Sequence, residues 1–467
     1  MSIDGIARGL AASGRTRAIG MSPGAGNTLV VTGDSITQYG STINATPARQ
    51  YDLGFWVWGN ALMGSAFTLL NNAGRGGTRS DVMYANLPSE VIAYAPMWCH
   101  ILIGTNDASS GLAYPGFPYV APLTFPQRYE CWKYYVTQSI RLLIAAGIRV
   151  AIGTIPPSST ASSSWSNSRA QCANAMNAYI RALPGLREFQ NAGIVVIDYA
   201  AAVMDPLSTT AQPKANYLQA DDGLHPTQLG SYVMGRAFRD ALSPFVTGGF
   251  AWGRSVTERY NYNTPTVFGP FLGSDPLFVT NSTSGTNSTS GTIVGTNIGG
   301  MTLSKSGTWG SALGTVDVAA RADGFGNDVV LTVNRGSSGA AGDYLELTIG
   351  NLVSRVSADK TVYSSCIIEA SNLASFGGLY LRAESAGVGG TRYGSMLERS
   401  ADDDPGATAA TFVNDSFVVG LRTGPLVIPS TPTTYYSRVR MIWAAPGGSA
   451  TIKVGRYLLY EAPELVV

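Results

Sequence analysis

The sequence predicts an α/β domain with a parallel sheet covered on both faces by helices, followed by an all-β region. From about residue 28 to 245, apolar runs of strand length alternate with segments of helix length. From about residue 300 to 467, short strand-like runs recur between turn signals. The chain has 467 residues, and one hydrophobic core rarely grows beyond about 250 to 300 residues. We therefore expect two or three domains.

Five apolar runs are the candidate strands of the α/β domain. In chain order they are TLVVTG at 28–33, FTLLNNA at 67–73, MWCHILIG at 97–104, RVAIGTI at 149–155 and GIVVIDYA at 193–200. Plausible helices lie between them. The longest, at 128–147, ends in Gly147, and glycine is common at helix C-termini. This alternation of strands and helices predicts a doubly wound sheet.

The second half of the chain has a different composition. Residues 250–300 are rich in Gly, Ser, Thr and Asn, and NSTSGT occurs there twice in tandem, which is typical of a linker or surface loop. The later strand-like runs predict a β-sandwich or jelly roll; they are DVVLTV, DYLELTIG, YSSCIIEA, GLYLRAE, SFVVGLR, SRVRMIWAA and TIKVGRYLLY. We therefore predict four regions: an N-terminal extension (1–27), the α/β domain (28–248), a linker or loop region (249–299) and a β-sandwich or jelly-roll module (300–467), suited to carbohydrate binding or oligomerisation.

Charge and hydropathy argue against several partners. Charged residues make up 13% of the chain and the formal net charge is +1, so we expect no nucleic-acid partner and no attraction to an anionic membrane. No run approaches the roughly 18 apolar residues of a membrane helix, and the first residues lack the apolar core of a signal peptide. The compartment stays open, with association with a virion or non-classical export as alternatives.

Cysteine and histidine usage limits metal chemistry. The four cysteines have no C-x-x-C spacing, so we interpret them as buried thiols. The two histidines are His100 and His225, which nearly excludes a zinc site built on several histidines. His100 lies in the apolar run WCHILIG, where a core histidine is the expected role.

Ser35 is the candidate nucleophile. In VVTGDSIT, Gly33 permits a tight exit from the first strand, and Ser35 falls at the strand's C-terminal end, where open α/β sheets bind ligands. The tripeptide Gly-Asp-Ser alone is also a common turn. A catalytic serine needs a base, and the base needs an acid that holds its tautomer. Asp222 and His225, in DDGLHPT, supply that pair, although a loop acid and a capping histidine are the alternative.

Two further segments end strands and offer hydrogen-bond donors. NNAGRGGTRSD offers the Gly77 backbone N–H, and IGTND offers the Asn106 side-chain amide. Together with the Ser35 N–H, these groups would form an oxyanion hole for acyl transfer. Taken singly, a glycine-rich turn and an Asn-Asp strand end are more often structural.

The ordered set GDS, NAGRGG, GTND and DGLH resembles the four sequence blocks of the SGNH (GDSL-type) hydrolase superfamily, over about residues 28 to 245. The resemblance implies a flavodoxin-like three-layer α/β/α fold and ester hydrolysis through an acyl-enzyme, with no metal or organic cofactor. It implies Ser35 as nucleophile, His225 as general base and Asp222 as its orienting partner. Gly77 and Asn106 would be oxyanion donors, and Gly76 is the alternative to Gly77.

The substrate is predicted from weaker features. Aromatic residues cluster after the first and third blocks, where they either contact substrate or simply pack. Trp165, in the polar loop SSTASSSWSNS, is the candidate for an exposed substrate-binding platform. The sequence has no long apolar lid, and a β-rich module suggests a polymer. We expect a serine esterase that removes short acyl groups, mainly O-acetyl, from an acetylated polysaccharide or glycan.

A binding-only protein is the alternative. The low charge and high Gly, Ser and Thr content would suit a phage tail or receptor-binding protein, a glycan-binding adhesin with weak or no hydrolysis. The C-terminal region would then serve for homo-oligomer formation or attachment to a larger particle.

Overall fold

The computed structural model describes residues 27–41, 48–109, 111–160, 162, 166–246, 285–307, 309, 313–324, 326–337, 339–350, 352–399 and 409–461. The chain divides into two compact units that interleave along the sequence. The α/β unit takes its residues from 1–47, 66–226 and 236–248, and the β-rich unit takes its residues from 48–65, 227–235 and 249–467.

The helices and strands are numbered in chain order. The helices are α1 (Ser35–Gln38), α2 (Phe55–Leu62), α3 (Ser80–Glu90), α4 (Thr105–Ser109), α5 (Phe125–Ala145), α6 (Asn167–Ala182), α7 (Tyr199–Val203) and α8 (Gln228–Leu242). The first ten strands are β1 (Asn27–Gly33), β2 (Arg49–Tyr51), β3 (Phe67–Gly74), β4 (Trp98–Leu102), β5 (Arg149–Gly153), β6 (Val195–Ile197), β7 (Thr286–Asn287), β8 (Ile293–Gly295), β9 (Met301–Lys305) and β10 (Gly314–Ala320). The others are β11 (Asn327–Asn334), β12 (Tyr344–Ile349), β13 (Thr361–Ala374), β14 (Phe376–Gly387), β15 (Gly390–Glu398), β16 (Phe417–Arg422), β17 (Leu426–Val427), β18 (Pro432–Trp443) and β19 (Ser449–Glu461).

A five-stranded parallel sheet forms the centre of the α/β unit. Its strand order is β3-β1-β4-β5-β6, and each neighbouring pair is parallel. The chain passes from β1 to one neighbour, β3, and then crosses to the other neighbour, β4. This is the flavodoxin-like order, in which ligands bind outside the carboxyl ends of the strands where the winding direction changes. The predicted fold class is confirmed, and the carboxyl end of β1 lies at that change of direction.

All five predicted strands of this sheet exist, and two boundaries have clear local causes. The fifth strand ends at Ile197, short of the predicted residue 200, because the Asp198 side chain accepts the Ala201 N–H (3.1 Å) and starts α7. The helix predicted from residue 128 begins at Phe125, because Thr124 and Gln127 form a capping box.

The β-rich unit contains two sheets. One has the order β16-β13-β19-β11-β10-β8, with β17 also paired to β13, and the other has the order β2-β15-β14-β18-β12-β9-β7. Most neighbouring strands are antiparallel. The sheets meet through their inner side chains: the Ser437 hydroxyl on β18 lies 2.8 Å from the Ser364 hydroxyl on β13 and 2.6 Å from the Tyr457 hydroxyl on β19. This packing is that of a β-sandwich.

The β-rich unit begins earlier than the predicted module. Residues 285–299, inside the predicted linker, contribute β7 and β8 to the two sheets. The second NSTSGT copy forms a turn closed by its own side chains, in which Asn287 donates to the Ile293 carbonyl (2.8 Å) and the Thr289 hydroxyl accepts the Ile293 N–H (3.1 Å). The polar composition of this segment predicted a linker. The same polar side chains instead form the hydrogen bonds of an ordered turn.

Two segments from within the predicted α/β domain also belong to the β-rich unit. Trp58 on α2 packs edge-on against Tyr232 (5.3 Å between ring centroids) and Phe417 on β16 (5.7 Å). Gln228, the first residue of α8, donates to Asp52 (2.8 Å) and accepts the Val413 N–H (3.0 Å). Helix α8 thus begins in the β-rich unit and ends in the α/β unit.

The four cysteines lie in the protein interior. Cys99, Cys131, Cys172 and Cys366 are buried and unpaired thiols, as predicted. In the part of the chain that the structure describes, no helix is both long and apolar enough to span a bilayer.

Candidate active site

Ser35 occupies the tight turn between β1 and α1. The carboxyl end of β1 approaches β4 so closely that a Cβ on Gly33 would lie 2.1 Å from the Leu102 carbonyl oxygen, so a side chain at position 33 has no room. The chain then enters α1 through Asp34, whose side chain accepts the Ile36 N–H (3.0 Å). Ser35 is the first residue of α1, and its side chain is half-buried.

The other two predicted catalytic residues reach Ser35 from the far end of the sequence. His225 Nε2 lies 2.8 Å from Ser35 Oγ, although 190 residues separate them. His225 Nδ1 contacts Asp222 Oδ2 on the opposite side of the ring. The predicted Ser-His-Asp set therefore comes together in a hydrogen-bonded row, in the order that nucleophile activation requires.

Hydrogen bonds from backbone N–H groups to the Asp222 side chain fix the loop that carries Asp222 and His225. Asp222 Oδ1 accepts the N–H groups of Leu224 (2.7 Å) and His225 (3.0 Å). Gly223, between Asp222 and Leu224, has φ +61°, which glycine adopts readily. Partial burial raises the pKa of Asp222, but its hydrogen bonds from His225 and Leu224 outweigh this effect and hold the pKa below 3.8. Asp222 is thus an anion at neutral pH, suited to orient an imidazole.

Tyr39 supports the His225 ring from one side. The two ring centroids are 4.5 Å apart with an interplanar angle of 31°. Tyr39 caps the C-terminal end of α1, one turn after Ser35. Tyr39 was not among the predicted site residues, and its spacing of four from Ser35 in the sequence was the available signal.

The glycine turn after β3 presents one free N–H. The Gly76 N–H donates to the Gln38 side-chain oxygen (2.6 Å), so it is already occupied. The Gly77 N–H has no acceptor within the described residues, and Gly77 is exposed with φ +73°. Among these residues the Ser35 N–H also lacks an acceptor. The arrangement favours Gly77 over Gly76 as an oxyanion donor.

Asn106 lies on α4 beside the same turn. Its side-chain nitrogen donates one hydrogen to the Thr78 carbonyl (3.0 Å), which leaves the second hydrogen for another acceptor. The next residue, Asp107, is fully buried and accepts the Ser80 hydroxyl (2.5 Å) and the Tyr114 hydroxyl (2.7 Å). Burial raises the pKa of Asp107, and these donors oppose the shift. The contacts bind α4 to the start of α3, so they fix Asn106 relative to the glycine turn.

A buried acid, Asp34, directly precedes the nucleophile. It is fully buried, and this burial raises its pKa to about 6, although the Ile36 N–H and the Thr105 hydroxyl favour the charged form. Arg169, itself almost fully buried, interacts with Asp34 electrostatically. Asp34 therefore combines a helix cap with a buried carboxyl group beside the nucleophile.

Three further sequence predictions concern His100, Trp165 and metal binding. His100 is fully buried on β4 with Nε2 2.9 Å from the Tyr199 hydroxyl, and burial lowers its pKa to about 3, as expected of a core histidine. Trp165 lies outside the described residues. In the described part of the chain, no group of three or more His, Cys, Asp or Glu side chains has the arrangement of a metal site.

Solved structures resemble about half of this chain. A GDSL-like lipase from Bacteroides thetaiotaomicron VPI-5482 is 18% identical, with 47% of this chain and 88% of that chain covered and a TM-score of 0.33. A catalytic mutant of Axe2, an acetylxylan esterase from Geobacillus stearothermophilus, is 20% identical, with 48% of this chain and 96% of that chain covered and a TM-score of 0.34. No curated protein matches the sequence.

The family comparison covers the site itself. The sequence model of the GDSL-like lipase/acylhydrolase family matches residues 31–232, a range that contains Ser35, Asp222, His225 and the hydrogen-bond donors described above. The chain therefore carries, at residues 31–232, a domain of the GDSL-like lipase/acylhydrolase family.

Proposed function

We propose that this protein is a serine esterase that removes short acyl groups, chiefly O-acetyl, from a carbohydrate polymer. The observation that carries the proposal is the 2.8 Å approach of His225 Nε2 to Ser35 Oγ, with Asp222 on the opposite ring nitrogen. A base within hydrogen-bond reach of a hydroxyl, and an acid that orients the base, are what a nucleophilic serine needs.

The first half of the reaction forms an acyl-enzyme. His225 Nε2 takes the Ser35 proton as Oγ attacks the ester carbonyl carbon, and the carbonyl electron pair moves to oxygen. The intermediate collapses with cleavage of the bond to the alcohol, and the alcohol oxygen takes the proton from His225. Asp222 stays ionised and stabilises the imidazolium that exists between these steps.

The second half returns the enzyme to its starting state. His225 takes a proton from water, and the hydroxide oxygen attacks the acyl carbon. Collapse of this intermediate releases the carboxylic acid and returns the proton to Ser35 Oγ. In both halves, negative charge develops on the former carbonyl oxygen. The N–H groups of Ser35 and Gly77 and the amide of Asn106 would stabilise it, each contributing about 3 kcal/mol.

Features outside the catalytic residues support a short acyl group and a polymeric substrate. The sequence contains no long apolar lid segment, which favours a short acyl group over a lipid chain. A β-rich unit in the same chain as the esterase is favourable for a polymer, because a tethered binding surface raises the local concentration of ester groups.

Replacement of the nucleophile tests the catalytic part. We expect Ser35→Ala to lower kcat for p-nitrophenyl acetate by roughly 10⁴-fold or more, because the variant lacks the hydroxyl that His225 would activate. Ser89→Ala is the matched control, since the Ser89 hydroxyl is exposed and bonds only to the Asn86 carbonyl among the described residues. Thermal unfolding of both variants checks that the fold is intact.

Two outcomes would contradict the proposal. One is a Ser35→Ala variant that retains wild-type turnover. The other is a wild-type protein that binds glycans but does not hydrolyse acetyl esters, which would favour a glycan-binding adhesin.

A further inference from the structure

We propose that three aromatic side chains near the oxyanion donors, Phe117, Tyr119 and Tyr134, form a surface that binds the sugar part of the substrate. We call this set the ring cluster. The inference rests on the proposed esterase function and names the part of the enzyme that would recognise the carrier.

The ring cluster is a set of outer rings supported by buried ones. Phe117 stacks on Tyr119, with 5.9 Å between centroids and an interplanar angle of 26°, and meets Tyr134 edge-on at 5.5 Å. Beneath them, Tyr114 and Tyr135 are 3% and 8% exposed, whereas Tyr134 is 49% exposed. Core packing accounts for the inner pair of rings. Phe117 and Tyr119 are partly buried against this pair, and their remaining surface, with the exposed Tyr134 ring, reaches solvent as a substrate-binding surface would.

The loop that carries Phe117 and Tyr119 is attached to both oxyanion elements. Its Tyr114 hydroxyl donates to Asp107, the residue after Asn106 (2.7 Å). Arg79, two residues after Gly77, donates to the carbonyls of Leu112 and Ala113, each at 3.2 Å. The loop that carries Phe117 and Tyr119 is therefore anchored beside both oxyanion elements.

Tyr134 approaches from the helix that follows this loop. Helix α5 starts at the carboxyl edge of the sheet, after β4, and returns to the start of β5. Tyr134 lies near the middle of this helix, and its edge-on contact with Phe117 joins it to the loop.

The chemistry of the ring cluster fits a sugar better than an apolar chain. The Tyr119 hydroxyl donates to the Glu130 carboxylate (2.5 Å), and Glu130 is exposed beside the rings. A sugar ring offers C–H groups to aromatic faces and hydroxyls to a carboxylate. An apolar chain would take water from Glu130 without replacing those hydrogen bonds, which is unfavourable.

The test compares a carrier-bearing substrate with a small one. The substrates are acetylated xylo-oligosaccharides, acetylated manno-oligosaccharides and p-nitrophenyl acetate, and the variants are Tyr134→Ala and Phe117→Ala. We expect kcat/KM for the best oligosaccharide to fall about tenfold more than kcat/KM for p-nitrophenyl acetate, mainly through KM, because one stacking contact is lost.

Tyr94→Ala is the matched control. Tyr94 is also an exposed tyrosine (40%), but it precedes β4 and so belongs to the opposite edge of the sheet. We expect this variant to leave the ratio of the two kcat/KM values unchanged. Thermal unfolding identifies any ring-cluster variant that fails to fold, and Tyr134→Phe, which keeps the ring, should restore most of the lost efficiency.

Several outcomes would overturn the inference. They are an equal loss on both substrate types, no loss on the oligosaccharide, and hydrolysis of p-nitrophenyl acetate with none of the acetylated saccharides. If no ester is hydrolysed, the proposed function fails separately, and calorimetric titration of Ser35→Ala with the oligosaccharides decides the binding surface. Binding that weakens in Ser35→Ala/Tyr134→Ala supports the surface, and no binding overturns it.

Discussion

Gln38 determines which glycine N–H is free at the site. Its side-chain oxygen holds the Gly76 N–H at 2.6 Å, one turn after Ser35 on the same helix. We expect Gln38→Ala to lower kcat for p-nitrophenyl acetate about tenfold with little change in KM, because the Gly77 donor is then less well positioned in the transition state.

Gln38→Glu is the control for this prediction, since a carboxylate oxygen can accept the same N–H. We expect it to recover most of the lost kcat in steady-state assays. A change confined to KM, or identical losses in both variants, would show that Gln38 does not act through Gly76.

At the residue scale, the sequence located the chemical groups but not their supports. Ser35, Asp222 and His225 could be predicted because Gly-Asp-Ser and Asp-x-x-His carry them in short, recognisable segments. Gln38 and Tyr39 could not, because their roles depend on the turn after β3 and on the loop at residue 225 reaching α1 in the folded chain. Trp165, predicted from its polar surroundings, stays a prediction.

At the element scale, the cap of α1 makes stability depend on pH. The pKa of Asp34 is raised from 3.8 to about 6, so the folded state binds this proton more tightly than the unfolded state. The contribution is therefore fully present below pH 3.8 and is lost as the pH rises to about 6. Asp34→Asn keeps the cap and removes the charge.

We expect this variant to be more stable than the wild-type protein at pH 7.5, by about 3 kcal/mol, with the difference shrinking towards pH 4. Urea unfolding of both proteins at pH 4, 5, 6 and 7.5 measures it. Parallel stability curves across this range would contradict the assignment of the pH dependence to Asp34.

Strands that contain a continuous apolar run could be predicted from the sequence, and very short strands could not. The strands of the parallel sheet are buried on both faces and appear as continuous apolar runs. In contrast, β2 and β7 have three and two residues, too few to show an alternation. Their existence depends on hydrogen bonds to β15 and β9, which no local pattern encodes.

At the scale of the whole molecule, the interleaved units predict that the first half of the chain does not fold well alone. A fragment of residues 1–248 keeps α2 and α8 but lacks Phe417 and Val413, which contact Trp58 and Gln228. In the full chain Trp58 and Tyr232 are 2% and 4% exposed. We expect the fragment to expose these rings and to aggregate.

Size-exclusion chromatography and tryptophan fluorescence of the fragment test this expectation against the full chain. A soluble, cooperatively folding fragment with the full chain's kcat/KM for p-nitrophenyl acetate would contradict it. Both segments fall within the alternation of strand-length and helix-length patterns from about 28 to 245, which predicted one α/β domain, and helix-length patterns do not reveal which partner covers a helix.

The short outer strands of one sheet in the β-rich unit have a further consequence. In the described part of the chain, this seven-stranded sheet ends at β2 on one side and β7 on the other, and these strands have three and two residues. A neighbouring molecule that approached β2 or β7 would find only three or two residues of strand to pair with, so extension of this sheet into fibrils from these two strands is disfavoured.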